Sequence, residues 1–572
     1  MSWYKKNTSL ITRFTFGWWN ALKSFSFREK LVVGSLSILI ASSLLFWGNS
    51  IYTYVTVAVP KEGGTYIEGT VGNPHRINPV FSKANIPDNE ISRLVYSGLL
   101  KYDSEGNMVP DMAKDWSVSE DGRVYTVNIR EGILWHDGTS FNVEDVIFTI
   151  GVIKNLEYGS PLRNFWLDVE ITRGENDYQA IFTLQTPRAN FEEQLSLGIL
   201  PKHIWENIPP QNFALHLLNL EPVGTGPYRF EQSQKDADGK VLIYELSSFS
   251  LYYGKKPYIS SVIFKFYPDR ESLREAYKKK EVKGLSGIDA SGLSDLGSYA
   301  DKLTFHTMEA PHFFVVYFNQ VKSKPLAYRE VRNALHLATD REALVNDILN
   351  GKGRSIYGPF LEEGISQEPL EERKKKAEAL LEENGWKKGN DGIREKNGVR
   401  IEFDMYTGDI IQDLSVTADA LKKQWESIGV LVNVKTLPDH DLFNNYMKPR
   451  EYDSLLYAHM TTFIPDITPF WHSGKTKDPG LNFSVYKSDA LDGYTDTLMI
   501  SRNAEERKKA SEGVVRILSE ESPAIYLYSP SYIYPLDKSI QGVTLKRVSE
   551  DANRFYDIEN WYIKTKRIWK ER

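Results

Sequence analysis

Ten histidines are scattered through 572 residues, and their spacing decides whether metal chemistry is on offer. A zinc hydrolase places two histidines four apart on one helix face beside a glutamate. No H-E-x-x-H run occurs, and no histidine pair stands at ligand spacing. Cysteine is absent, which removes thiolate metal sites, cysteine nucleophiles, disulfides and a lipidated cysteine. There is no G-x-S-x-G elbow for a nucleophilic serine. Gly474-Lys475-Thr476 resembles the end of a phosphate loop, but the position needing the earlier glycine is Pro469. Gly224-Thr225-Gly226 lacks the third glycine of a dinucleotide fingerprint and runs into Pro227, so it reads as a tight turn. The acid pairs Asp103/Glu105 and Asp111/Asp115 have the groups a glycosidase uses. Nothing in the sequence assembles them, and they read as surface carboxylates. A hydrolase built on Asp103, Asp111 or Asp115 is the weakest of the functional readings.

The elements that would position any site begin with a membrane segment. The run from Leu31 to Pro60 holds no charge and no histidine, and Leu31–Trp47 is apolar or small throughout. About 20 such residues cross a bilayer core as a helix. Residues 1–30 carry Lys5, Lys6, Arg13, Lys23, Arg28 and Lys30 against one acid, Glu29, with Trp18 and Trp19 suited to an interface. Positive flanks stay in the cytoplasm, so residues 61–572 are expected outside. The basic head is longer than a signal peptide's, and only Thr56-Val57-Ala58 follows where a small-x-small cleavage site would stand. A retained single-pass anchor at 31–59 is the expectation. The net charge of −6 includes six bases and one acid in that head, leaving −11 for the rest. An acidic body argues against nucleic acid as a partner.

Hydrophobic content of 41% and charged content of 26% are ordinary for globular protein. Roughly 510 residues beyond the anchor exceed what one core holds, so two or three domains are expected. Residues 116–119 and 123–130 flank Asp121-Gly122, a hairpin signature. Asn142 is placed to cap a helix over 143–153, with Asp145 at its third position. Helices are expected over 331–339 and 341–350, broken at Asp340, and over 371–384, stopped by Gly385. Over 412–428, Leu414, Ala418, Leu421, Trp425 and Ile428 recur at helical spacing, and Val430, Val432 and Val434 then alternate as a strand. Helices alternating with strands imply an α/β core.

Eight segments, in order, resemble the extracytoplasmic solute-binding proteins of family five, the oligopeptide- and dipeptide-binding subunits of ATP-binding-cassette transporters. They include Gly63-Gly64-Thr65-Tyr66 with Gly72–Pro79, Val95–Asp103, Val109–Trp116, Leu134–Val146, Gly224–Tyr228, Val331–Leu335 with Asp340–Val345, and Ala377–Trp386. The resemblance covers nearly all of 61–545. It implies a two-lobed, periplasmic-binding-protein-like α/β clamshell with an extra α+β domain, preceded by the transmembrane helix. Lobe I would comprise 61–95, 168–275 and 525–572, the extra domain 96–167, and lobe II 276–524.

The same resemblance implies binding, not catalysis, with no catalytic residue, metal or cofactor. A peptide or other small solute would be held between closing lobes, largely by strand-like main-chain bonds, and the closed form would dock on a permease served by ATPase subunits. Matching positions are Asn73, Pro74 and His75 from lobe I. From lobe II they are Tyr317, Asn319, Tyr457, His459, Met460, Thr461, Thr462, Asp466 and Trp471. Tyr457 and Trp471 serve either as aromatic walls or as core. Where family members carry an aspartate that pairs with a peptide ammonium, alignment on Pro465 puts Phe463, so Asp466 takes that role from a shifted position or the clamp is absent. Other ligands on this fold, such as an oligosaccharide, a metal chelate or haem, and a sensor role, stay open.

Overall fold

The computed structural model describes residues 25–287, 295–361, 368–463 and 465–570, in two compact units. The smaller unit holds the helix Phe27–Val55, opened by a capping box in which Ser26 and Glu29 satisfy each other's backbone N–H groups. None of its residues is buried, and it is long and apolar enough to cross a membrane. It runs directly into the strand Thr56–Lys61, which pairs antiparallel with Lys564–Trp569.

The larger unit, residues 62–563, is built on two main sheets. The first is seven-stranded, in the order Leu303–Met308, Tyr532–Asp537, Gly284–Leu285, Thr65–Val71, Ser261–Tyr267, Val241–Ser248, Tyr228–Lys235. The second is six-stranded, in the order Gly353–Ser355, Ala524–Pro530, His312–Phe318, Ser454–Met460, Glu402–Gly408, Leu431–Leu437. His312–Phe318 is apolar in nearly every position because both of its faces are covered. Phe314, Val316 and Phe318 enter a core with Trp386 and Trp425, while Phe313, Val315 and Tyr317 enter another with Trp471 and Phe483. Burial of each such side chain contributes about 1.5–3 kcal/mol, so this strand is the spine of the second lobe.

The described strands pass between the two sheets twice, through Glu309-Ala310-Pro311 and through Ser531. This moves the expected lobe boundaries. Leu303–Met308 pairs with Tyr532–Asp537 in the first sheet, so lobe II starts near 312, not 276. Ala524–Pro530 pairs with His312–Phe318, so lobe II runs to 530, not 524. Alternation within a strand says which residues face a core, but not which neighbour the strand joins.

The extra domain also reaches further than 167. Its sheet comprises Ala113–Val118, Val124–Ile129, Gln179–Leu184 and Val169–Arg173. It has no separate core: Trp135, Phe141 and Phe182 belong to one continuous cluster with Tyr66, Phe264 and Trp561 of the first lobe.

The expected local signals appear as elements. Asn142 and Asp145 form a capping box on Val143–Lys154, Asp340 caps Arg341–Leu349 through the Ala343 N–H, and the hairpin pairs Val118 with Tyr125. Gly224–Gly226 is a bend rather than a hydrogen-bonded turn. A Cβ on Gly224 would lie 1.9 Å from the Val95 carbonyl oxygen, so glycine is required there by close backbone approach. His136 brackets the same segment. Its Nδ1 accepts from the Gly224 N–H at 3.2 Å and its Nε2 lies 3.0 Å from the Gly226 carbonyl. That pattern makes Nε2–H the donor and the ring neutral, and burial pushes its pKa down to about 4.

Candidate functional site

Between the two lobes, beside both crossings, lies a cavity of about 450 Å³. Arg270, Gly287, Ile533 and Asp551 line it from the first lobe, and Ala310, Pro530 and Ser531 from the crossings. The second lobe supplies His312, Phe314, Leu349, Lys352, Ile410, Asp413 and Met460. Small-molecule sites are concave, mostly apolar and carry a few convergent polar groups, and this cavity has that composition. Asp413 stands in the first turn of Gln412–Glu426, so the positive end of that helix dipole faces the same space.

The first-lobe wall rests on a buried ion network. The Arg554 guanidinium donates to Glu68 at 3.0 Å and forms an ion pair with Glu90 at 2.8 Å, and all three side chains are fully buried. Tyr66 and Tyr534 donate to the other Glu68 oxygen, and Ser286 to Glu90 at 2.6 Å. Burial raises the Glu68 carboxyl, with Arg554 pulling the other way. Asp551, three residues before Arg554, lies at the cavity edge. Burial pushes its pKa up to about 6; Arg554 and Arg270 lower it, and Glu90 and Glu550 raise it. His312 is pushed down to about 4 by burial.

The lobes also touch away from the crossings. Arg502 of the second lobe donates to the Tyr125 hydroxyl of the extra domain at 2.7 Å and to Glu192, in the short helix Phe191–Gln194, at 2.8 Å. The Ala189 N–H donates to the Met499 carbonyl at 2.8 Å. Phe463 packs edge-on against Tyr102 with ring centres 5.5 Å apart, under the Arg547 guanidinium. At the crossing, Glu309 pairs with Arg354 of the second lobe and Arg547 of the first, at 3.3 and 3.2 Å.

Of the residues expected at a site, Met460 lines the cavity. Thr461 adjoins the crossing, its N–H donating to the Pro311 carbonyl at 2.9 Å, and Thr462 follows, its carbonyl accepting from the Thr461 hydroxyl. His459 is stacked between Phe313 and Phe470, with its pKa pushed down to about 3 by burial. Tyr317 and Trp471 are fully buried in the second lobe's core, and the Trp471 indole donates to the Tyr526 hydroxyl at 3.0 Å. Trp471 is therefore a core aromatic in this structure, and Tyr457 packs partly buried against Phe483. Asn319 closes the end of His312–Phe318, bonding to the Arg450 carbonyl and to the Val321 and Lys322 N–H groups. Asp466 accepts from the Thr468 N–H, a local turn. In the first lobe the Asn73 amide exchanges bonds with the Val241 backbone, Pro74 is buried, and the His75 N–H donates to Asp88. These twelve positions do not converge on one surface.

Sequence reasoning missed Asp551, Arg270 and Glu309. The fold brings them to the cavity and the crossing from segments far apart in the sequence. Of the acids weighed for catalysis, Asp103 holds a local turn, Asp111 accepts from Tyr253 at 2.8 Å, and Asp115 accepts from Asn128 at the surface. Among the described residues no group of three His, Asp or Glu side chains could hold a metal ion.

Comparison with known proteins agrees with this architecture. The chain is 25% identical over 518 residues to the oligopeptide-binding protein AppA of Bacillus subtilis, covering 88% of this chain and 92% of that one. The solved structure of AppA in complex with a nonapeptide superimposes with a TM-score of 0.66, over 88% of this chain and 99% of that one, at 25% identity. NikZ from Campylobacter jejuni in complex with Ni(L-His) superimposes with a TM-score of 0.69, over 88% and 100%, at 26% identity. Residues 107–480 match the family model described as bacterial extracellular solute-binding proteins, family 5 Middle. A match over that much of the chain, with two lobes around a cavity, places this protein in the family 5 bacterial extracellular solute-binding proteins.

Proposed function

We propose that this protein is the membrane-held, extracytoplasmic substrate-binding subunit of an ATP-binding-cassette importer, capturing short peptides between its lobes without catalysis of its own. The observation that carries the reading is the cavity of about 450 Å³ where two separately cored lobes meet at two short crossings. A guest there touches both lobes only when they are together, so it shifts the population toward the closed form. The strand Ser454–Met460 ends at the cavity edge, where an extended ligand would lie along its main chain. In this reading the helix Phe27–Val55 is retained as a single-pass anchor with residues 1–26 in the cytoplasm, and the closed form docks on a permease and its ATPase subunits.

The test is tryptophan fluorescence of the purified full chain in detergent against a library of tri- to pentapeptides. Saturable changes are expected, and a folded protein that answers to no peptide would sink the peptide reading. Intact mass measured on the membrane fraction tests the anchor. The full chain is expected there, and a mature N-terminus near residue 59 overturns retention.

A further inference from the structure

We infer that the ribbon formed by Thr56–Lys61 and Lys564–Trp569 lies on the outer face of the membrane and binds anionic lipid headgroups there, an assignment that rests on the helix Phe27–Val55 being a retained anchor. The ribbon is fastened to the last turn of that helix. A helix leaves its final carbonyls unbonded, and no base stands in this last turn. The C-terminal strand supplies one. The Arg567 guanidinium donates to the Thr53 and Thr56 carbonyls at 3.0 and 3.1 Å and to the Thr56 hydroxyl at 2.8 Å. The Lys570 N–H donates to the Val55 carbonyl at 2.9 Å. A helix rises about 1.5 Å per residue, so a core of about 30 Å entered at Leu31 ends near Ile51, and Thr56 stands about 7 Å above it, at headgroup depth. Tyr52 and Tyr54 stand at that level, as in an aromatic belt, with Arg567 and Lys570 over their rings.

Charge and strand pairing point to the occupant. Residues 564–570 hold four bases and no acid, and every residue of Lys564–Trp569 is exposed. Opposed residues of an antiparallel pair share a face. Val57 stands opposite Ile568, Val59 opposite Lys566 and Lys61 opposite Lys564. These six make one face, apolar beside the helix and cationic beyond it. Like charges directly opposed destabilise a ribbon, and Lys61, Lys564 and Lys566 form no ion pair among the described residues. Headgroup phosphates would neutralise them, while Val57 and Ile568 enter the boundary with the acyl chains. The larger unit is joined to this ribbon by both of its ends, at 61–62 and 563–564, so adherence fixes two exits of the chain instead of one.

The experiment places the full chain in nanodiscs of phosphatidylcholine alone or of an equal mixture with phosphatidylglycerol. The chain has no cysteine, so Ile568→Cys gives a single site for an environment-sensitive fluorophore. In the mixed discs its emission is expected to move to the blue and to be quenched by a lipid-borne nitroxide; in the neutral discs it should stay that of a water-exposed dye. Each lysine near an anionic surface strengthens adherence about fivefold. Lys61→Gln/Lys564→Gln/Lys566→Gln is therefore expected to lower the ratio of adhering to free ribbon on the order of 100-fold while melting no earlier. Equal emission from the two kinds of disc, or a triple variant that answers as wild type does, overturns the assignment and leaves the basic face to a protein partner. Failure of the anchor reads differently: a chain that does not co-elute with the discs has no inserted helix, and the ribbon assignment falls with it.

Discussion

Arg554→Met puts the buried network beneath the cavity to a direct test. Arg554, Glu68 and Glu90 are each fully buried and closely paired. Methionine has similar reach but no charge, so the variant leaves two carboxylates in the core with no cation between them. Removing one partner of a buried pair costs about 3–5 kcal/mol; with two acids stranded, the upper end, about 5 kcal/mol, is expected at pH 7. That is a large share of the roughly 5–15 kcal/mol that holds a typical fold. Urea unfolding followed by tryptophan fluorescence reads the change, because Trp561 packs 5.8 Å from Tyr66 and 6.0 Å from Tyr534 within the same network. Lowering the pH should narrow the gap, since Glu68, already raised by burial, then takes up a proton. A Glu68→Gln/Glu90→Gln/Arg554→Met triple variant guards against general misfolding, and it should recover most of the loss because no bare charge remains. The reasoning is refuted if Arg554→Met loses less than about 1 kcal/mol, or if the triple variant is no more stable than the single.

Arg502→Ala removes the second lobe's bonds to Tyr125 and Glu192; small-angle scattering of the ligand-free full chain should show a larger radius of gyration than wild type, and an unchanged one would show that these bonds do not hold the lobes together. Asp551 makes a pH prediction whose sign follows from its raised value. The ordinary carboxyl at 3.8 becomes about 6 in the fold, so ionisation is disfavoured there, and wild type loses on the order of 3 kcal/mol as pH rises from about 4 to above 6. Asp551→Asn lacks this loss, so its stability advantage in denaturant should grow across that window and vanish near pH 4; a constant difference would contradict it.

Much of the local structure was legible because its causes are local. Asn142 with Asp145, Asp340, and Asp121-Gly122 each satisfy or turn the backbone within a few residues of themselves. The family motifs were legible as strings, but their reason was not. His136 and Gly224–Gly226 lie nearly ninety positions apart in sequence, and only the fold shows that one imidazole clasps the backbone of the other segment. Sheet membership was illegible for the same reason: nothing within Leu303–Met308 or Ala524–Pro530 names its neighbour, and Tyr532–Asp537 and His312–Phe318, with which they pair, lie more than two hundred residues away in sequence. The candidate site suffered most. Tyr317 and Trp471 are aromatic in core and pocket alike, so type alone did not separate the two, whereas Asp551 reaches the cavity only through the fold.

The two links between the sheets contain Pro311 and, at the edge of the second, Pro530. Their rings fix φ, so bending falls on Glu309, Ala310 and Ser531, and Glu309 is braced from both sides by Arg354 and Arg547. Two links of three residues and one residue leave little slack for the lobes to slide past each other, so relative motion there is expected as a swing rather than a shear. In such a device the bulk of a guest would register as an opening angle, a quantity that a neighbouring protein could gauge from outside without touching the guest at all.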